Sequence, residues 1–269
     1  MSWIWSALTP HPPILVPEVG QGREREAAIT LEGLDRLMKR LAKRKPDVLL
    51  LLSPHQPWAP GALFLNAASR PRGSLAPFGA PSVAFTLSTP AEKLNALAAH
   101  LTAKGIPVRT GAGNPDLTRD QGSLVPLYFL ERAWKTLPSV VLASPIGLDP
   151  KSALKLGEAL ASFDEKSSWG LLASGDLSHR LTRDAPAGYS PVGKKFDAAI
   201  VASLSATDPQ PLLNLTPQEL EEAGECGLRS VLAMLGLCRT LEGSIDSPIE
   251  VLSCEGPFGV GYCNAVWTA

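Results

Sequence analysis

Apolar positions along the chain come in two patterns. Short uninterrupted runs recur at Ile4 to Leu8, Val48 to Leu52, Val140 to Ile146 and Trp169 to Ala173. Runs of this length, bounded by Pro, Gly and Ser, read as strands buried on both faces. Between them lie longer stretches in which apolar residues recur at helical spacing with charges interposed. From Arg23 to Arg44, the residues Ile29, Leu31, Leu34, Leu37, Met38 and Leu41 form such a stripe. Further helices are expected from Thr89 to about Lys104, Leu124 to Trp134, Ser152 to Phe163, Pro191 to Leu204, Pro217 to Ala223 and Leu228 to Leu241. Thr89-Pro90-Ala91-Glu92 and Thr216-Pro217-Gln218-Glu219 each offer an N-cap threonine, a proline at the first helical position and an acid three residues on. Further strands are expected at Ala62 to Ala67, Val83 to Leu87, Val108 to Thr110, Ile249 to Ser253 and Gly261 to Trp267, with loops at Arg70 to Pro81 and Gly111 to Arg119. Strands and helices alternate throughout, with no repeat and no long linker. The pattern predicts a single α/β domain over residues 1–269, a central sheet flanked by helices.

Composition narrows the functional classes. A chain of 269 residues with 45% hydrophobic and 19% charged positions can bury a sizeable core. Its net charge of −1, and a basic cluster confined to Lys39 to Lys45 at a helix end, argue against nucleic acid as a partner. The start, Met1-Ser2-Trp3-Ile4-Trp5, does not resemble a signal peptide, and no apolar run has membrane-spanning length. A cytoplasmic location is therefore expected. Cys226, Cys238, Cys254 and Cys263 show no C-x-x-C spacing. That predicts free thiols in a reducing compartment rather than a disulfide framework.

Candidate chemistry centres on the histidines, of which there are four. His11, His55 and His179 each follow a strand-like run, in or beside a turn-forming segment, whereas His100 falls within a helical pattern and is expected to have no role. Ligands of open α/β sheets bind beyond the carboxyl ends of the strands, so this shared placement suggests one convergent site. Two histidines and a carboxylate with open positions form the facial triad of non-haem Fe(II) oxygenases. His11 and His55, each held by flanking prolines, are the candidate imidazole ligands. Glu225, at the glycine-flanked break between two helical segments, is the candidate carboxylate. A continuation of the acidic run Glu219, Glu221, Glu222 is the plainer account of that residue.

Four segments occur in order: Thr9-Pro10-His11-Pro12-Pro13, Ser53-Pro54-His55, Ser174-Gly175-Asp176-Leu177-Ser178-His179 and Glu225-Cys226-Gly227. Together they resemble the class III extradiol ring-cleaving dioxygenases, specifically the catalytic LigB-type subunit, and its relative the Memo family. The resemblance spans nearly the whole chain. It implies Fe(II) held by His11, His55 and a late carboxylate, with His179 as acid/base beside it and Asp176 and Ser178 orienting the His179 loop. The implied reaction opens a catechol-type ring next to its diol with dioxygen. Memo proteins carry cysteine where the dioxygenases carry glutamate; Glu225 is preferred here and Cys226 is the alternative third ligand. Many relatives have Asp-His-Gly where this chain has Asp120-Gln121-Gly122, so Gln121 takes the substrate-facing position with a side chain that cannot carry a proton. The alternative function is a Memo-like protein using the same cleft for metal-dependent redox chemistry or peptide binding. Zn or Cu would be its alternative metals, and zinc hydrolysis is a third reading. A homo-oligomer or a small partner subunit closing the site both remain open.

Overall fold

The computed structural model describes residues 2–111, 115–242 and 248–269. The chain opens with β1 (Trp3–Thr9), a one-turn helix α1 (Pro17–Gly20) and α2 (Ala28–Leu41), then β2 (Val48–Leu52), β3 (Leu63–Asn66), β4 (Arg72–Leu75) and β5 (Ala80–Thr86). It continues with α3 (Ala91–Ala103), β6 (Val108–Gly111), α4 (Gln121–Trp134), β7 (Ser139–Ser144), α5 (Pro150–Ala161) and β8 (Trp169–Ser174). The last third comprises α6 (Pro191–Ala206), α7 (Gln210–Leu213), α8 (Pro217–Ala223), α9 (Leu228–Glu242), β9 (Glu250–Glu255) and β10 (Tyr262–Thr268).

Eight strands form one mixed sheet in the order β6-β3-β7-β2-β8-β1-β10-β9, and β4 and β5 pair separately. Its centre, β7-β2-β8-β1, is parallel. β10 and β9 extend it antiparallel from β1, and β3 runs antiparallel to β7. Leu50 and Leu52 pack with α5 and α9 residues on one face, whereas Leu49 and Leu51 pack with α2 and α4 residues on the other. That alternation explains the unbroken apolar run: a strand covered on both sides has no polar face to display. The expected α/β architecture with helices on both faces is what the structure has.

Several local expectations change. The loop expected from Arg70 to Pro81 contains β4 and the start of β5. The stripe from Arg23 begins as a 3-10 stretch, Arg23–Ala27, and becomes α-helical only at Ala28. The Thr216–Glu219 capping box forms, but the one at Thr89 does not: the Thr89 N–H is bonded to the Ser69 carbonyl and its hydroxyl is buried without a partner, so α3 starts from Pro90. The expectation of four free thiols is also corrected. Cys254 and Cys263 sit opposite each other in the β9–β10 register, with Cα atoms 4.3 Å apart, and are joined as a disulfide. Spacing along the chain could not show this, because a hairpin closing between them sets the register. Part of the expected loop from Gly111 to Arg119, residues 112–114, lies outside the described residues.

Candidate functional site

Parallel pairing brings the carboxyl ends of β1, β8 and β2 to one edge, with Thr9 opposite Ser174 and Leu52 opposite Ala173. The next turns therefore project their polar residues into one space. Prolines on both sides of His11 keep the segment extended, and its N–H is donated to Asp176 Oδ1 at 2.9 Å. A fourth segment is drawn in by backbone contact. A Cβ added to Gly175 would lie 2.3 Å from the Cα of Gly227, so only glycine allows these two chains to touch. That approach delivers Cys226 to the edge.

His11, His55, Asp176, His179 and Cys226 converge there. His11 Nε2 lies 3.1 Å from His55 Nε2, 3.7 Å from Cys226 Sγ and 3.8 Å from Asp176 Oδ2. Asp176 Oδ2 is also 3.8 Å from His179 Nε2. The Gly224 carbonyl, 2.7 Å from His179 Nδ1, can only accept. His179 therefore donates from Nδ1 and turns its Nε2 toward Asp176. On the far side of His11, Nδ1 meets Ser174 Oγ at 2.9 Å. Gln121 closes the solvent side, its Nε2 3.1 Å from His55 Nε2.

Burial sets the charges. Desolvation lowers the His11 pKa to about 3 and that of His55 to about 4, with His11 also repelling a charge on His55, so both rings are neutral at pH 7. The 3.8 Å contact of His11 with Asp176 is accordingly no ion pair. Burial raises Asp176 to about 6, against the pull of the His11 N–H and of His179, and pushes the Cys226 thiol well above its usual range. Behind the His179 loop, burial also raises Asp197 to about 7 although it accepts the Ser178 N–H at 2.9 Å.

Glu225 does not join the cluster. Its Oε2 accepts the Leu228 N–H at 2.7 Å, at the start of α9, and its Oε1 pairs with Arg229 Nη1 at 3.1 Å. Both carboxylate oxygens are thus committed to the helix start, and it is the neighbouring Cys226 that faces His11. His100 bonds the Ala159 carbonyl at 2.9 Å, away from the site. Several supporting residues were not anticipated. Asp120 caps α4, accepting from Ser123 N–H at 3.0 Å, Ser53 Oγ at 2.5 Å and Gln56 Nε2. Its cap signature, Asp-x-x-Ser, is present in the sequence, whereas no local signal marks Asp197 or Ser174 as supports.

Among the described residues, no group of three or more His, Cys, Asp or Glu side chains stands close enough to hold a metal ion. The donor chemistry nevertheless suits one. If Ser174 accepts the Nδ1 proton of His11 and the Gln121 amide donates to His55, two bare imidazole nitrogens face each other at 3.1 Å. Such a pair needs a proton or a metal cation between its lone pairs, and neutral imidazole is the form that ligates. Asp176 Oδ2 and Cys226 Sγ, both within 3.8 Å of His11 Nε2, are further candidate donors.

Comparisons with known proteins bear on this arrangement. The family described as the catalytic LigB subunit of aromatic ring-opening dioxygenase matches residues 6–264. Protein CA_C1420 of Clostridium acetobutylicum is 33% identical over 265 residues, covering 95% of this chain and 55% of that protein. The chain thus spans about half the length of this curated relative. A crystal structure of the uncharacterized protein JW3007 from Escherichia coli K12 superposes with a TM-score of 0.59 at 17% identity, covering 98% of this chain and 99% of that one. At that identity the likeness speaks for the fold alone.

Proposed function

Since the chain belongs to the catalytic LigB subunit family of aromatic ring-opening dioxygenases, we propose that it cleaves a catechol-type ring beside the diol, using dioxygen and Fe(II). His11 and His55 would hold the metal, with Asp176 as the carboxylate in place of Glu225. Bound iron would supply a common centre for the diol and dioxygen, from the side that the protein leaves open. The residues carry the proton work. His179, with Nδ1–H held by Gly224, would take a diol proton on Nε2 and give it back as the ring opens, so that no proton is lost overall. Asp176 fixes the His11 backbone and the polarity around His179 Nε2. Gln121 donates a hydrogen bond at the mouth but relays no proton. The observation that supports this reading is the convergence of Asp176 Oδ2 on both His11 Nε2 and His179 Nε2, beside the paired imidazoles of His11 and His55. Oxygen uptake by anaerobically purified, Fe(II)-loaded protein with a panel of catechols tests it. Uptake with a coloured ring-opened product, lost in His179→Ala, is the expected result. No uptake with iron demonstrably bound would overturn it.

One observation favours a second reading. Cys226 Sγ, rather than a glutamate, lies 3.7 Å from His11 Nε2. A thiolate ligand suits softer metals and redox chemistry without ring cleavage, as in a Memo-like protein. Retained iron affinity in Cys226→Ser, together with its loss in Asp176→Asn, would separate the first reading from this one.

A further inference from the structure

Proteins hide their largest rings, because burying them stabilises the fold most. Five of the six tryptophans do so: Trp3, Trp5, Trp134, Trp169 and Trp267 are at most 8% exposed. Trp58 is 58% exposed and Tyr189 52% exposed. A single exposed ring means little. The placement of these two, and how the backbone holds them, means more.

Trp58 follows His55 by three residues, in the loop that leaves β2 at the site edge. Two residues before it, Gln56 is buried and locked between Asp120 and Asn66. Just after it, Ala62 N–H bonds the Ala59 carbonyl at 3.2 Å and Gly61 N–H bonds the Gly147 carbonyl at 2.8 Å. Pro57 and Pro60 stiffen the same stretch. Tyr189 lies in the loop after His179 and is bracketed likewise: Gly188 N–H bonds Ala185 O at 2.9 Å and Ser190 N–H bonds Arg180 O at 2.9 Å. Neither ring is exposed because its loop is slack; pinned backbone holds each in solvent. Both loops leave strands that end at the site, and His55 itself is open to water there. Such preorganised rings lose little freedom when a ligand covers them.

We infer that Trp58 and Tyr189 determine substrate specificity, bracketing the mouth and taking the part of the diol substrate remote from its two hydroxyls. The inference rests on the diol reading above. Aromatic walls reward a flat apolar substituent through offset or edge contacts, and they strip water from a charged one without replacing its hydrogen bonds. The substrate class is therefore an aryl- or alkyl-substituted catechol, rather than a bare or carboxylated one.

Trp58, as the single exposed indole, supplies its own readout. The experiment titrates Fe(II)-loaded protein with 4-phenylcatechol or catechol under anaerobic conditions and follows acrylamide quenching of tryptophan emission. Kinetics are then run in oxygen. Saturating 4-phenylcatechol is expected to shield the quenchable emission, and Trp58→Phe to abolish that component. Trp58→Ala and Tyr189→Ala should each lower kcat/KM for 4-phenylcatechol relative to catechol by about tenfold, with Trp58→Phe close to wild type. Turnover with emission left unshielded, or unchanged ratios in both alanine variants, overturns the inference. If neither diol is cleaved, the diol reading fails; shielding by 4-phenylcatechol then still supports an aromatic mouth, and its absence overturns that too.

Discussion

His11 and His55 occupy equivalent places in the sequence, each in a proline-bracketed turn after an apolar strand, yet the fold gives them different work. His11 is 2% exposed, and its ring and backbone contact Ser174, Asp176 and Cys226, residues from two other segments. His55 is open to solvent and, among the described residues, its ring Nε2 meets His11 and Gln121. One imidazole belongs to the framework and the other to the mouth. A binding site built this way gains precision from the buried partner and access from the exposed one, so substitutions at the two should separate stability from ligand affinity.

The largest expected contrast comes from alanine at each position. His11→Ala should cost about 2–4 kcal/mol of folding stability, because it opens a cavity and leaves buried polar neighbours unpaired. His55→Ala should leave stability within about 1 kcal/mol. Both should abolish tight Fe(II) binding, read by titration beside urea unfolding. Equal loss of stability in the two variants would break the distinction.

Next in size is the pH dependence, in which opposed signs meet. His11 and His55 have folded pKa values of about 3 and 4, below the ordinary 6.5. The unfolded chain then binds more protons as pH falls, so their contribution is present above pH 6.5 and is lost progressively toward pH 3. Asp197 has the reverse sign: its folded pKa of about 7 lies above the ordinary 3.8, so its contribution is full below pH 3.8 and is lost as pH rises to 7. Asp197→Asn keeps an acceptor for the Ser178 N–H without the desolvated charge. It should stabilise the protein by about 1–3 kcal/mol at pH 8, with no difference at pH 3.5. Denaturant midpoints at the two values check this, and an equal shift at both would refute it.

A finer contrast lies in two adjacent residues. Glu225→Gln should cost about 1–2 kcal/mol through its contacts at the start of α9 and with Arg229, while leaving metal affinity near wild type. Cys226→Ser should likewise leave iron affinity near wild type, since Asp176 rather than Cys226 is the proposed third ligand, and a loss of affinity there would favour the Memo-like reading. The smallest effect is expected at the mouth. Gln121→His should change stability by less than about 0.5 kcal/mol while adding a titrating group to the pH–rate profile, with kcat altered by up to about tenfold.

The same division between framework and mouth governs how much the sequence reveals. The parallel core is legible because strands covered on both faces must be apolar throughout, as Val48–Leu52 is. The three candidate-site histidines are legible because strand ends mark them locally, with prolines beside His11 and His55. Glu225 and Cys226 are not told apart by the sequence, which gives order without direction: Cys226 Sγ lies 3.7 Å from His11 Nε2, while Glu225 is bonded to the Leu228 N–H and to Arg229. β4 was hidden in a Pro/Gly-rich stretch, since its four residues are too few to show a period. The Cys254–Cys263 link depends on hairpin register, and Asp197 reaches Ser178 from α6. Such contacts between distant segments leave no local trace.

The contact between Gly175 and Gly227 also has a consequence for how the protein comes into being. His11 and His55 are 44 positions apart, but His11 and Cys226 are separated by 215. A ribosome has made most of the chain before the segment that completes the cluster emerges, and closing so long a loop comes late in folding. Nascent or truncated chains ending before α9 can place two imidazoles near each other but cannot seat Cys226 against them. The contacts that position His179 and Cys226 should therefore form only after synthesis is nearly finished, so that the cluster is completed as the last of the sheet assembles.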